Sequence, residues 1–256
     1  MLATDLLQSL AVSPMQLMLA CLVAFSASIL GGLAGYGTGL ILPVFLVPVV
    51  GVGNVIPVMA VAMFFNNASR VGVFRNVIQW PHVWRILLLG LPACLIGAYS
   101  YTLLNTRWIA LLLGIFLLLS VPLRRLFNRA QVQLSSGAEL GAGAFFGFVN
   151  GILPGAGVFL IAILLHAGLT GSAVVATDAV VSVVMGFSKV VLFGSLAALD
   201  LQLGLTGLLI GVCTIPGAFI ARAMIRHMSV GIHVWIMELA VIIGAVTLLW
   251  RGINNV

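Results

Sequence analysis

The chain has 256 residues, of which 62% are hydrophobic and only 6% are charged, with a formal net charge of +6. Soluble domains carry about 25% charged residues, so this chain lacks the polar surface that a water-soluble fold needs. Its eleven basic residues are distributed over several parts of the chain and do not form one basic patch, which argues against a nucleic-acid partner. The composition therefore predicts a membrane protein whose surroundings are the lipid bilayer.

Eight apolar segments are of roughly the length that crosses a bilayer, since a 30 Å hydrocarbon core takes about 20 helical residues. Tryptophans stand near the segment ends, as in the aromatic belts of membrane proteins. The long continuous apolar runs differ from the alternating strands of a β-barrel. We therefore predict an all-α polytopic membrane protein with segments near 15–48, 53–74, 83–104, 107–123, 138–166, 172–198, 203–222 and 232–250.

Arginine clusters bear on the orientation of these segments, because cytoplasmic loops are rich in Arg and Lys. They mark three connections, the second-to-third, the fourth-to-fifth and the seventh-to-eighth (Arg70, Arg75 and Arg85; Arg124, Arg125 and Arg129; Arg222 and Arg226). Eight alternating crossings cannot place all three connections on one side. Either a broken segment enters and returns on the same side, or the second half is inverted relative to the first.

An internal repeat divides the chain into an N-terminal half, 1–130, and a C-terminal half, 131–256, with four apolar segments each. Both halves open with an apolar run that is broken by a Gly-x-Gly element, and the two elements lie 118 residues apart (Gly37 and Gly39; Gly155 and Gly157). A serine followed by a cation comes later in each half, in nearly the same register (Ser69 and Arg70; Ser188 and Lys189). We therefore predict a duplication in which each half opens with a discontinuous or re-entrant helix.

Helix breaks of this kind predict a binding site for a small anion. Backbone groups freed in hydrocarbon need partners, so breaks persist only inside protein or beside a wet cavity. The helix that resumes after the break points free N–H groups and its positive dipole end at that cavity, as at the midplane substrate sites of duplicated transporters. The alternative is close helix packing, because Gly31 and Gly147 are each followed by another glycine four residues later, which is the spacing of small residues at helix contacts in membranes. The candidate substrate-binding residues of the two breaks are Gly35, Gly37, Thr38, Gly39, Pro154, Gly155, Ala156 and Gly157.

Ionisable residues inside apolar segments extend the candidate site, because a charge at a membrane helix centre costs about 2.5–3.5 kcal/mol. Arg70 and Lys189 would complement the helix dipoles around an anion, or else extend to an interface from a helix end. Asp178 is assigned to an ion pair, to the pathway or to a proton relay. The polar neighbours of the two cations complete the candidate substrate-binding set: Asn66, Asn67, Ser69 and Ser188.

The remaining polar residues are assigned to structural positions. Acidic and histidine side chains near segment ends are expected at the membrane–water interfaces (Glu139, Asp200, Glu238, His82, His166, His227 and His233), and three cysteines are expected to be buried thiols (Cys21, Cys94 and Cys213). Neither metal-ligand spacing nor a nucleophile motif nor an ATP-binding motif is found. The sequence therefore predicts no enzyme, metal site or cofactor, but ion-coupled or facilitated transport, with a homodimer as an open possibility.

The glycine-rich elements resemble those of the sulfite exporter TauE/SafE family of membrane permeases. The resemblance rests on residues 31–39, followed by Pro43, and on the second copy in residues 147–157, and with size and hydropathy profile it covers nearly the whole chain. Thr38 and Ala156 replace the family's usual glycines and Pro154 stands in the second break, which leaves the substrate open. The resemblance implies a permease or exporter of small sulfur-containing anions, such as sulfite or organosulfonates, in a bacterial cytoplasmic (inner) membrane. The alternatives are a passive anion channel, which would give no counterflow, and a scaffold or assembly protein that binds partner helices through its glycine faces.

Overall fold

The computed structural model is all-helical within the residues that it describes, 13–34, 37–129, 133–224 and 231–254. Short 3₁₀ turns, Val52–Asn54 and Arg75–Val77, flank the third α-helix. The predicted segments 15–48 and 138–166 each contain two helices. The α-helices of the described residues are α1 Pro14–Ala34, α2 Gly37–Val50, α3 Val55–Phe74, α4 Trp80–Thr102, α5 Thr106–Arg129, α6 Ser136–Ile152, α7 Gly157–His166, α8 Ser172–Ser195, α9 Leu201–Met224 and α10 Gly231–Asn254.

The lengths of the helices and their exposed apolar side chains identify a multi-pass membrane protein. Large apolar side chains such as Leu88, Ile115 and Phe187 are exposed on the helix surfaces, where a soluble monomer rarely shows large apolar patches. The tryptophans whose side chains are described lie exposed near helix ends (Trp80, Trp84, Trp108 and Trp250). Five stretches within the described residues are long and apolar enough to cross a membrane: Val52–Val77, Trp80–Thr102, Thr106–Leu123, Ser172–Ser195 and Leu201–Ala221.

The helix break in the second half reverses the chain. Leu153, after α6, is extended at φ −130° and ψ 137°, and Gly155 is left-handed at φ +83°. Helix α7 then returns, so that the Leu134 N–H before α6 donates to the carbonyl of His166 at the end of α7 at 2.9 Å. With ten residues, α7 is about 15 Å long, half of a bilayer core. Helices α6 and α7 therefore form a hairpin.

A second hairpin is formed by α1 and α2. Helix α2 packs along α1, and the Thr38 hydroxyl at its start donates to the Ala27 carbonyl at 3.0 Å. Gly31 lies directly against Thr38, so the small residue allows the two helices to approach. With 14 residues, α2 is about 21 Å long and also shorter than a full crossing.

The remaining helices pack in pairs whose directions follow from their contacts. Helix α4 packs along α6 and α1 along α9, while α3 contacts both α8 and α9, and α5 contacts α10. Helices α3 and α8 are antiparallel, because Arg70 meets Asp178 whereas Ala60 faces Gly186. Helices α4 and α6 run parallel, and Gly147 contacts the backbone of Gly90, which is the close packing that small residues permit.

Two acidic side chains expected at the interfaces are buried. Glu139 and Glu238 are only 1% and 6% exposed. The two oxygens of the Glu139 carboxylate lie 2.7 Å from His82 Nδ1 and 3.4 Å from Arg85 Nη1. Glu139 lies in the first turn of α6, near a segment end as predicted, but the sequence does not reveal that α4 and α6 enclose its carboxylate.

The other polar and thiol residues agree more closely with expectation. Asp200 is exposed and accepts a hydrogen bond from the Leu203 N–H at 2.7 Å at the start of α9. All three cysteines are free thiols, with Cys94 buried and the other two partly buried. The side chains of His227 and His233 lie outside the described residues.

Candidate functional site

A cavity lies between α3 and α8, and residues next to the two helix breaks line its other side. The start of α2, the end of α6 and the start of α7 contribute its remaining wall. The volume open to the centres of water molecules is about 50 Å³, compared with roughly 10–15 Å³ for a site that holds one water. The cavity therefore has room for a few waters or one small anion.

Gly39, near the start of α2, contacts Gly155 in the break between α6 and α7 at this wall. A Cβ atom on Gly39 would lie 2.8 Å from Gly155 Cα, and one on Gly155 would lie 2.8 Å from the Gly39 carbonyl oxygen. Gly155 also needs its left-handed φ of +83°, which other residues rarely adopt. The glycines are thus required both by close approach and, at Gly155, by backbone conformation.

The N-terminus of α7 opens at the same place. Gly157, its first residue, lines the cavity. The N-cap residue Ala156 provides no side-chain hydrogen bond, so the positive end of the helix dipole is not neutralised by a cap. An anion in the cavity would be stabilised by this helix end.

Arg70 and Asp178 form a buried ion pair in the cavity wall. Arg70 Nη2 lies 2.9 Å from Asp178 Oδ2, and the two side chains are 3% and 2% exposed. Arg70 Nη1 also donates to Asn67 Oδ1 at 3.0 Å, and Nη2 approaches the Val175 carbonyl at 3.5 Å. Within the described residues, Arg70 Nε and Asp178 Oδ1 have no hydrogen-bond partner. The Arg70 guanidinium is therefore buried in an ion pair, and Asp178 is its partner.

Lys189 is the only lysine of the chain, and it lies buried in the cavity wall on α8 at 7% exposure. Its ammonium donates to the Asn150 carbonyl, in the last turn of α6, at 2.9 Å. Among the described residues no carboxylate lies within ion-pair distance of it. An ammonium group has three donors, so two remain for a ligand.

The cavity combines a positive polar side with an apolar side. Two cations and one carboxylate line it, which leaves one net positive charge. Ile56, Met59 and Met63 from α3 supply apolar surface opposite the polar groups of α8. Such a site suits a small anion.

Several sequence candidates do not reach the cavity surface, and Gly35 lies outside the described residues. The Ser69 hydroxyl donates to the Asn66 carbonyl at 2.7 Å and the Ser188 hydroxyl to the Val184 carbonyl at 2.9 Å, each within its own helix. Gly37, Thr38, Asn66 and Ala156 are buried and do not line the cavity. The candidates that line the cavity together are Gly39, Asn67, Arg70, Pro154, Gly155, Gly157, Asp178 and Lys189.

Sequence reasoning missed lining residues that helical periodicity marks. On α8, Ser182 and Gly186 follow Asp178 at intervals of four residues and precede Lys189, which places all four on one helix face. Asn150 lies inside the second glycine-rich element and lines the cavity, but it is not among the predicted substrate-binding residues. Its side-chain amide contacts Cys94 Sγ at 3.8 Å and Met185 Sδ at 3.5 Å. No cluster of His, Cys, Asp or Glu suited to a metal is found in the described part of the chain.

These features define a multi-pass α-helical membrane protein with a buried, positively charged cavity at two helix breaks. The sequence model of the sulfite exporter TauE/SafE family matches residues 20–248, and the chain belongs to that family. The family is one of membrane transporters, as the resemblance of the glycine-rich elements indicated. Comparisons with curated proteins and with solved structures give no match.

Proposed function

We propose that the chain transports small sulfur-containing anions, such as sulfite or an organosulfonate, through the cavity between α3 and α8. The observation that carries this proposal is the buried ammonium of Lys189, which has no carboxylate partner among the described residues and lies beside two helix breaks. A charge is costly inside a membrane protein, and an anion offsets that cost. Sulfite and sulfonates present three acceptor oxygens, which can take hydrogen bonds from an ammonium and from backbone N–H groups.

We propose further that the halves are inverted repeats of five helices each, α1–α5 and α6–α10. Helices in equivalent positions pair antiparallel, α3 with α8 and α5 with α10, and the α4–α6 pair has its counterpart in α9–α1. A hairpin that returns to its own side plus three crossings gives each half an odd number of side changes. The second half would therefore begin on the opposite side.

The inverted arrangement also reconciles the arginine clusters. With two hairpins, the α3–α4, α5–α6 and α9–α10 connections all come to one side of the membrane. The clustered arginines near these connections then obey the positive-inside rule, with Arg226 outside the described residues. This side would be the cytoplasmic side of a bacterial inner membrane.

Transport by reconstituted liposomes tests the function. Uptake of labelled sulfite and of a small sulfonate should saturate, and Lys189→Met should lower kcat/KM about tenfold or more. A hydrogen bond to a charged group contributes roughly 1.5–3 kcal/mol, and 1.4 kcal/mol is a factor of ten. Arg107→Met removes an exposed cation outside the cavity and should leave kcat/KM unchanged.

A second readout does not need transport. Because Lys189 is the only lysine, acetylation by acetic anhydride, followed by peptide mass spectrometry, reports on this one ammonium. Sulfite or a sulfonate should slow its acetylation, while choline should not. Equal acetylation with and without the anions, together with normal transport by Lys189→Met, would reject Lys189 as the anion contact.

The same liposomes separate the alternatives. A carrier accelerates uptake when unlabelled substrate is loaded inside, whereas a passive channel shows no such counterflow. A scaffold or assembly protein would transport none of the anions.

A further inference from the structure

We infer that Asp178 sets the charge selectivity of the cavity, so that the transporter prefers singly charged over doubly charged anions. This inference rests on the proposed function and specifies its substrate class. It is carried by the buried pairing of Arg70 with Asp178, while Lys189 has no carboxylate partner in the described part of the chain.

The two cations of the cavity differ in what they offer a ligand. Arg70 directs Nη1 to Asn67 and Nη2 to Asp178, and only the buried Nε is without a partner. It therefore cannot present the two-pronged fork with which arginine binds an oxyanion. Lys189 spends one donor on the Asn150 carbonyl and retains two. Lys189 is therefore the cation that remains available to an anionic group.

Asp178 limits the positive charge that the cavity offers to a second negative charge on the ligand, because it neutralises Arg70. This carboxylate lines the cavity, and its Oδ1 accepts no hydrogen bond from the described residues. Asp178 and Lys189 are eleven residues apart on α8, about 16 Å along the axis. Arg70 neutralises Asp178 in the wild type, so the cavity carries only the one positive charge of Lys189. An anion between Asp178 and Lys189 lies about 8 Å from the carboxylate, and at an effective dielectric constant of about 20 a change of one unit in the charge at this position changes affinity more than about tenfold per unit of ligand charge.

A matched pair of substrates measures this preference. Isethionate and sulfoacetate are both two-carbon sulfonates, with net charges of −1 and −2 at neutral pH. The ratio of their kcat/KM values in proteoliposomes measures the effect of the second negative charge at nearly constant ligand size. The wild-type protein should favour isethionate.

Four proteins vary the charge of the cavity. Asp178→Asn raises the net charge by one and should shift the ratio about tenfold towards sulfoacetate. Arg70→Gln lowers it by one and should shift the ratio further towards isethionate. The double variant replaces the ion pair by two amides and keeps the net charge, so its ratio should return close to that of the wild type.

The outcomes separate this inference from the proposed function. A wild-type protein that transports neither sulfite nor either sulfonate rejects both. Transport of isethionate with an unchanged ratio in Asp178→Asn, or a double variant that shifts as Asp178→Asn does, rejects the role of Asp178 alone. Removing one partner of a buried pair is strongly destabilising, so each variant is first checked by size-exclusion chromatography. Should Asp178→Asn not fold, the opposite shift in Arg70→Gln and the restored ratio of the double variant decide the question.

Discussion

The contact between Gly39 and Gly155 can be tested by four alanine substitutions that separate steric overlap from backbone strain. Gly39 is helical and its Cβ would meet Gly155 Cα at 2.8 Å, so Gly39→Ala introduces overlap alone. Gly168 has φ +92° and open space around it, so Gly168→Ala introduces strain alone. Gly155→Ala introduces both, and Gly72→Ala, in a helix with no neighbour within 4 Å, introduces neither.

The magnitudes follow from these geometries. Left-handed backbone costs an alanine about 1–2 kcal/mol, and overpacking of a dense interior costs about 1–3 kcal/mol. Gly168→Ala should therefore lose about 1–2 kcal/mol of unfolding free energy, and Gly155→Ala about 2–5 kcal/mol. Gly39→Ala should lose up to about 3 kcal/mol, because higher helix propensity offsets part of the overlap. Gly72→Ala should gain up to about 1 kcal/mol, since alanine is the better helix former.

Thermal unfolding in detergent and transport in liposomes measure the two consequences. The apparent melting temperature should be highest for Gly72→Ala, lower for Gly168→Ala and Gly39→Ala, and lowest for Gly155→Ala. Transport should fall only in Gly39→Ala and Gly155→Ala, because only these move the cavity wall. Wild-type stability and transport in Gly39→Ala would show that Gly39 and Gly155 do not touch.

Two further predictions concern the buried acid and the topology. Glu139→Gln should lower the unfolding free energy by about 1–3 kcal/mol, because it weakens hydrogen bonds to a buried charged group. Asp200→Asn changes an exposed acid and should leave the melting temperature unchanged. Equal melting temperatures for the two variants would contradict the buried pairing of Glu139. In a cysteine-free background, Ser136→Cys and Thr170→Cys should react with an impermeant maleimide from one side of the membrane, and Ser195→Cys should react from the other side. Labelling of Ser136→Cys and Thr170→Cys from opposite sides would exclude the α6–α7 hairpin.

Much of the architecture is readable from the sequence because its signals are local. Hydropathy predicts where apolar helices lie, and glycine with proline predicts where they break. The break at Pro154–Gly157 coincides with the interruption between α6 and α7. Charges inside apolar runs indicate candidate site residues, and both Arg70 and Lys189 line the cavity.

The parts that the sequence leaves open depend on contacts between distant helices. Hydropathy measures the length of an apolar run but not its direction, so it does not distinguish a hairpin from a crossing. The pairing of Arg70 with Asp178 joins residues 108 positions apart, and one sequence contains no signal for it. The same holds for Glu139, whose histidine and arginine partners come from α4.

The proposed repeat explains why only one cation of the cavity has a counter-ion. At the 119-residue interval between Arg70 and Lys189, the position that matches Asp178 is Met59, and both line the cavity. An inverted pair of halves would set residue 59 against Lys189 as Asp178 stands against Arg70. A methionine there leaves the ammonium available to the anion. Met59→Asp should therefore give Lys189 an internal partner and lower kcat/KM for isethionate about tenfold or more, whereas Met59→Leu should retain it; normal transport by a folded Met59→Asp protein would refute this equivalence.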